Sequence, residues 1–433
     1  MASGKGEKAT SVCQAGHAAL SARLLKRISS EAAAVGNNLV FSPLSIHVAL
    51  VLMSTAAAGA TLDEILRVAG APSREELAAF VRDTVVDGVL DDQSGIGGPT
   101  ISYACGTWTD KAWPLRPANV DAIVGTFKGN SWALTSKTSS ILSLHHTILL
   151  RCPKESRKQI NAWAAKATRN LITQVFINPE DDDNDDTVHV IANNAIYFKG
   201  EWRNPFKKEN TVDREFHRLD GSSVEVPFLQ SWSYQCIACH SGFKVLKLPY
   251  ELMNESNWKL YDSLPRFSMC VFLLDGKKGL RDIMEKIASS LPAFLHDHLP
   301  KEYVPIGQFR LPKFKLSFER EIQDDLIHLG LELPFDKKKA NMGDLLHEED
   351  TRRMRVNRVI HKAVIEMNEE GSEAAAVTVE SDDDMGYSMF DDYPPPPKPV
   401  NFVADHPFAF FIIQETSGAV VFAGHVLDPS EEV

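Results

Sequence analysis

Residues 358–402 read "RVIHKAVIEMNEEGSEAAAVTVESDDDMGYSMFDDYPPPPKPVNF". The first ten alternate and are rich in Val and Ile, the pattern of a strand entering a core. Bulk then disappears, into Gly371, Ser372, Glu373 and three alanines, before an acidic run and four prolines. Continued as a strand, this segment places Ser372, Ala374, Ala376 and Thr378 on one face. All four are small, as an inward face needs if it is to slip between strands that already pack tightly. The same alternation then brings Glu380, Asp382 and Asp384 onto that face. From composition alone, an Ala-rich surface loop is an equally available reading.

The segments around it are consistent with one α+β domain spanning residues 1–433, helix-rich first and strand-rich later. Ala18, Leu20, Leu24, Leu25 and Ile28 mark a helix with one buried stripe. Ser42 is placed to cap the next helix and Pro43 to occupy its first turn. Gly59 and Thr61 are expected to break that helix, with Thr61 and Glu64 forming a capping box for the one that follows. "ESRKQINAWAAKATRNLI" predicts an amphipathic helix with Ile160, Trp163, Ala167 and Leu171 on one face. After residue 187, seven segments read as strands, "TVHVIANNAIYFKGEW" and "GQFRLPKFKLSFE" among them, interrupted by helices at "GLRDIMEKIA" and "IQDDLIHLG".

A net charge of −12 argues against a nucleic-acid partner and suits a cationic one. No apolar run reaches the roughly 18 residues of a membrane helix, and the N-terminus lacks the pattern of a secretory signal. A cytoplasmic or nucleocytosolic location is therefore expected, with release after cell damage. The six scattered cysteines fit a reducing compartment. Cys236 and Cys239 form a C-x-x-C with no second ligand pair, which reads as incidental. No nucleophile elbow, phosphate loop or H-E-x-x-H is present. No cofactor, metal or catalytic residue is expected.

Six blocks occur in fixed order across most of the chain: "NLVFSPLSIHVAL", "NNAIYFKGEWRNPF", "FKVLKLPY", "LPKFKLSFEREIQDDLIHLGLELPF", "VIHKAVIEMNEEGSEAAAVT" and "FVADHPFAFFI". Together they resemble the serpins, and within them the plant serpins. The resemblance implies a fold of three β-sheets with about nine helices and an exposed reactive-centre loop, here 371–401. It also implies a monomer that inhibits proteases as a suicide substrate: a serine or possibly a cysteine protease cleaves the loop, is held as an acyl-enzyme, and is carried across the molecule as the loop inserts. A non-inhibitory binding or storage protein is the alternative, because this loop is long and acidic.

Carried over residue by residue, the resemblance makes Glu369, Glu370, Gly371, Ser372, Glu373, Ala374, Ala375, Ala376, Val377 and Thr378 the loop hinge. It puts the cleaved bond at Met385–Gly386, with Asp384–Met385 and Tyr387–Ser388 as alternatives. It gathers Ser42, Ser45, Asn194 and His361 under the place where the large sheet opens, although each is singly explained as well by a cap or a satisfied core residue. It pairs Lys313 with Glu369 to hold the sheet closed. Residues 139–152 stand as an insertion relative to the family.

Overall fold

A computed structural model of the chain describes residues 3–86, 89, 93–110, 145–149, 158, 161–166, 168, 170, 172–174, 189–252, 264–342, 355–372 and 398–431. Helix α1 (Ser3–Val35) lays Leu20, Leu24, Leu25 and Ile28 into the core, the i, i+4 spacing of an amphipathic stripe. Strand β1 (Leu39–Phe41) leads into α2 (Pro43–Ala56), which is buried on nearly every side and touches strands of two sheets. Its start matches the sequence reading: the Ser42 side chain accepts from the Ser45 N–H, and Pro43 sits in the first turn.

The next boundary does not match. Helix α3 (Gly59–Ala69) begins at Gly59 with Ala58 at the cap, so Thr61 lies inside the helix. Thr61 and Glu64 cap other chain segments instead. The Thr61 hydroxyl accepts from the Asn341 N–H, and Glu64 accepts from the Glu332 and Leu333 N–H groups. A tertiary partner has displaced the local one. Helix α4 (Arg74–Phe80) follows, with Ser73 as its cap.

The largest sheet relevant to the loop contains β2 (Thr100–Asp110), β3 (His145–Leu149), β4 (His189–Glu201), β12 (Phe314–Glu321), β13 (Arg355–Met367) and β14 (Gly371–Ser372). Its order is β12-β13-β4-β2-β3, with β14 against β4. Strand β3 falls within the 139–152 segment and pairs parallel with β2 at the sheet edge; the rest of that segment lies outside the described residues. Of the helix expected from residue 155, residues 161–166 are helical and Trp163 is buried.

A second sheet, ordered β15-β11-β6-β5, uses β5 (Val212–His217), β6 (Ser223–Leu229), β11 (Ile306–Pro312) and β15 (Val400–Val403). The third runs β1-β17-β16-β9-β8-β7-β10, built from β7 (Gln235–His240), β8 (Phe243–Pro249), β9 (Phe267–Leu274), β10 (Tyr303–Val304), β16 (Phe408–Gln414) and β17 (Val420–Val426). Helices α5 (Leu280–Ser289) and α6 (Leu291–His298) precede β10, and α7 (Gln323–His328) precedes β13. Both faces of β16 and β17 are buried, which is why they read as near-continuous apolar runs.

"GQFRLPKFKLSFE" is two strands rather than one. The chain changes sheets at Lys313, between β11 and β12. The C-x-x-C lies on β7, where residues three apart point to opposite faces; Cys236 is buried and Cys239 exposed. The two thiols therefore cannot share a ligand.

Candidate functional site: the sheet gate and the loop base

Strands β4 and β13 run parallel and pair directly, from His189 with Arg355 up to Tyr197 with Val364. Parallel neighbours in one sheet joined this way leave no strand between them. Above Tyr197 the pairing to β4 stops, while β13 stays joined to β12 as far as Met367 opposite Phe314. Into that widening comes β14: Gly371 pairs antiparallel with Glu201, and Ser372 with Gly200. Gly371 and Ser372 are thus strand-paired with β4.

The turn that delivers them is made by Asn368. Its Oδ1 accepts from the Glu370 and Gly371 N–H groups at 3.0 and 3.1 Å, the bonding pattern that suits Asn to turns. Its backbone carbonyl accepts from Trp202 Nε1 at 2.9 Å, and Trp202 stacks on Tyr250. Backbone bonds from the Trp202 and Phe206 N–H groups to the Glu370 and Glu369 carbonyls, both 2.7 Å, complete the seat. Gly371 has φ +148° and is buried; a Cβ there would stand 2.0 Å from the Gly200 carbonyl oxygen. Only glycine permits so close an approach.

Glu369 turns inward. Lys313 Nζ lies 2.9 and 3.1 Å from its two oxygens, and the Thr211 hydroxyl donates to it at 2.7 Å. Burial by itself would raise this carboxyl's pKa. The bonds from Lys313, Thr211 and the backbone outweigh burial and hold it below the ordinary carboxylate range. Glu370 pairs with the exposed Lys208 at 2.5 Å. Lys313 reaches Glu369 because it is the residue at which the chain passes between sheets, its own N–H bonded to Pro227.

Lower down, Ser42, Ser45, Asn194 and His361 meet in the core with at most 1% exposure. His361 and Asn194 are register partners across the β4–β13 seam. The Ser42 N–H donates to His361 Nε2 at 3.0 Å, so the ring proton resides on Nδ1 and is given to Asn194 Oδ1, 2.5 Å away. Asn194 Nδ2 donates to the Ser45 carbonyl at 2.9 Å, and the Ser45 hydroxyl donates to the Ser42 carbonyl at 3.2 Å. Burial lowers the His361 pKa to about 3, so the ring is neutral. The set ties β4 and β13 to the start of α2.

Glu373 to Thr378, Met385–Gly386 and the alternative bonds at Asp384 and at Tyr387–Ser388 lie outside the described residues. The sequence reading missed Thr211, Trp202, Asn368 and Lys208. Asn368 alone carried a local signal, as Asn before a Glu-Glu-Gly turn. Among the described residues, no group of three or more potential ligands could hold a metal ion.

The chain has relatives among known proteins. The family model "Serpin (serine protease inhibitor)" matches residues 15–429. Rice serpin-Z2A is 41% identical over 437 residues, covering 96% of this chain and 97% of the relative. Barley serpin-ZX is 37% identical, covering 94% of each. An Arabidopsis serpin solved in its native stressed conformation superposes with a TM-score of 0.79 at 32% identity, covering 97% of this chain and 99% of that one. With the family model matched over nearly the whole length and plant relatives aligned from end to end, this chain belongs to the serpin family.

Proposed function

We propose that this serpin inhibits a serine or cysteine protease as a suicide substrate, and that it is consumed by the reaction rather than turned over. The protease nucleophile adds to the carbonyl carbon of the residue before the cleaved bond, taken as Met385. The C–N bond to Gly386 breaks, the leaving amine takes the proton, and an ester or thioester joins the two proteins. The loop's N-terminal limb then enters between β4 and β13 as a strand antiparallel to both. The observation that carries this reading is β14, paired antiparallel with β4 beside a parallel seam. Each further residue inserted would exchange one strand pairing for two.

In this reading the Lys313–Glu369 pair restrains the top of the gap, and the Ser42, Ser45, Asn194 and His361 cluster rejoins around the incoming strand. Residues 371–401 are the bait, used by a cytoplasmic monomer. A methionine before the bond fits a protease with an apolar primary pocket. The acidic face at Glu380, Asp382 and Asp384 favours the second reading, a binding or storage serpin whose loop does not insert.

A denaturing gel after mixing with chymotrypsin, elastase and a panel of plant proteases separates the two. A covalent band that survives boiling, absent from Ser372→Arg, supports the trap. Cleavage without any such band across the panel supports the second reading. If Ser372→Arg traps as well as the parent, the insertion mechanism fails.

A further inference from the structure

We propose that an exposed aromatic patch formed by Trp232, Tyr234 and Tyr303 is the docking surface for the chain's own proline tract, Pro394–Pro397. The three side chains are 66%, 60% and 47% exposed, large values for aromatic residues in a folded domain. They come from two segments that the sheets bring together. Strand β10 pairs antiparallel with β7, Tyr303 opposite Cys236 and Val304 opposite Gln235. One step further in that register sets Tyr234 beside Pro305. Tyr234 and Cys236 share a face by alternation, and Tyr303 is the cross-strand neighbour of Cys236. The turn carrying Trp232 is fixed: Ser231 Oγ accepts from the Ser233 N–H at 3.2 Å and from Gln235 Nε2 at 3.1 Å.

The tract ends beside this patch. The Val400 N–H donates to the Pro305 carbonyl at 2.8 Å, and Val400 is in register with Ile306. A Cβ on Gly307 would lie 3.7 Å from Pro399. Pro305 is therefore the hub, with the loop's distal root bonded to it, Tyr234 next to it in register and Tyr303 two residues before it. Two extended residues reach about 7 Å. In the polyproline form that four successive prolines favour, Pro394 to Pro399 spans about 15 Å, at roughly 3.1 Å per residue. The tract is long enough to cross the patch and too closely tethered to drift far from it.

The chemistry matches as well. Proline-rich segments bind aromatic-lined surfaces because the extended helix is preformed and loses little entropy on docking. Lys301, exposed and two residues before Tyr303, offers a cation to Asp391 and Asp392, which precede the tract. The consequence is a shorter free loop. Its distal limb is clasped from Pro394 onward, and the bait is presented from that point rather than from Lys398.

The test needs no protease and so stands apart from the trapping reading. Subtracting the fluorescence of Trp232→Phe from that of the parent isolates this one indole among seven tryptophans. In the parent, the Trp232 signal should resist acrylamide quenching. With Pro394–397 replaced by serine, that protection should be lost and the emission should shift to the red. Adding the peptide YPPPPKPV should restore it. Equal quenching in the parent and the serine variant overturns the proposal. So does protection in the parent that disappears on dilution, which would assign the patch to a second copy of the chain.

Discussion

Replacing Lys313 with methionine should loosen the gate by a calculable amount. The Glu369 side chain is 7% exposed and keeps the Thr211 hydroxyl at 2.7 Å when the ammonium is gone. Removing one partner of a buried ion pair costs about 3–5 kcal/mol. Lys313 is 34% exposed, so water screens part of that pair and can reach the vacated position. With the Thr211 bond retained, a net loss of about 1–3 kcal/mol remains. That is roughly 1–3 °C in the unfolding midpoint of a chain this long. The pH dependence has a definite sign. The native Glu369 pKa lies below its unfolded value, so the pair's contribution is fully present above about pH 4.3. It disappears as pH falls through the native value. Scanning calorimetry of the parent and Lys313→Met should show a constant gap from pH 8 to 5 that narrows as pH falls below about 4.3. Repeating the substitution in a Glu369→Gln background isolates the pair. A gap of the same size there, or one that does not narrow as pH falls well below about 4.3, would refute the reasoning.

Three further outcomes are expected. Gly371→Ala should expel β14 from β4, because its Cβ would lie 2.0 Å from the Gly200 carbonyl oxygen; hydrogen exchange at Ser372 should accelerate, and an unchanged rate would mean that the pairing survives. The acid side of the stability curve should be steep. Burial lowers the pKa of His17 and His425 to about 4 and of His361 to about 3, and holds His47 well below its usual value. Below about pH 6.5 the unfolded chain takes up protons that the native one refuses, so each ring removes up to roughly 1.4 kcal/mol of stability per pH unit. His17→Phe with His47→Leu should flatten the fall in unfolding free energy between pH 6.5 and 5, and an unaltered slope would contradict this. Finally, replacing Glu380 with Val and Asp382 with Ala should reduce the number of inhibitor molecules consumed per complex, because burying an unpaired carboxylate costs several kcal/mol. A parent that already traps near one-to-one, with no gain in the variant, would mean that the carboxylates find partners or water in the inserted state.

The parts legible in the sequence share one property: local residues decide them. Ser42 followed by Pro43 forecasts a helix start because the cap bond spans three residues. The strands β13, β16 and β17 are visible because nearly every side chain faces a core. By contrast, β5 exposes three consecutive residues, Asp213 to Glu215, and buries only Phe216, so its Val-Asp-Arg-Glu-Phe-His sequence offers almost no alternation to read. Thr61 and Glu64 carry a genuine capping pattern, which a distant segment uses instead. Thr211 and Trp202 gain their roles only when Glu369 and Asn368 arrive from more than 150 residues away. No spacing rule along the chain encodes such a meeting.

The place of β1 in its sheet has a bearing on synthesis. This strand, complete by residue 41, finds its ladder partner in β17, which ends at Val426. Between β17 and the rest of the sheet stands β16, also made late. The N-terminal helices therefore wait for nearly the whole message to be read before the surface they cover exists. At about 5–20 residues per second, the chain from Lys398 to Val433 takes roughly 2–7 s to make. During that interval the parallel seam and β14 beside it have been translated, while the sheet behind them is still missing its middle. A ribosome pause in this stretch would prolong the one period in which β14 faces an unfinished body.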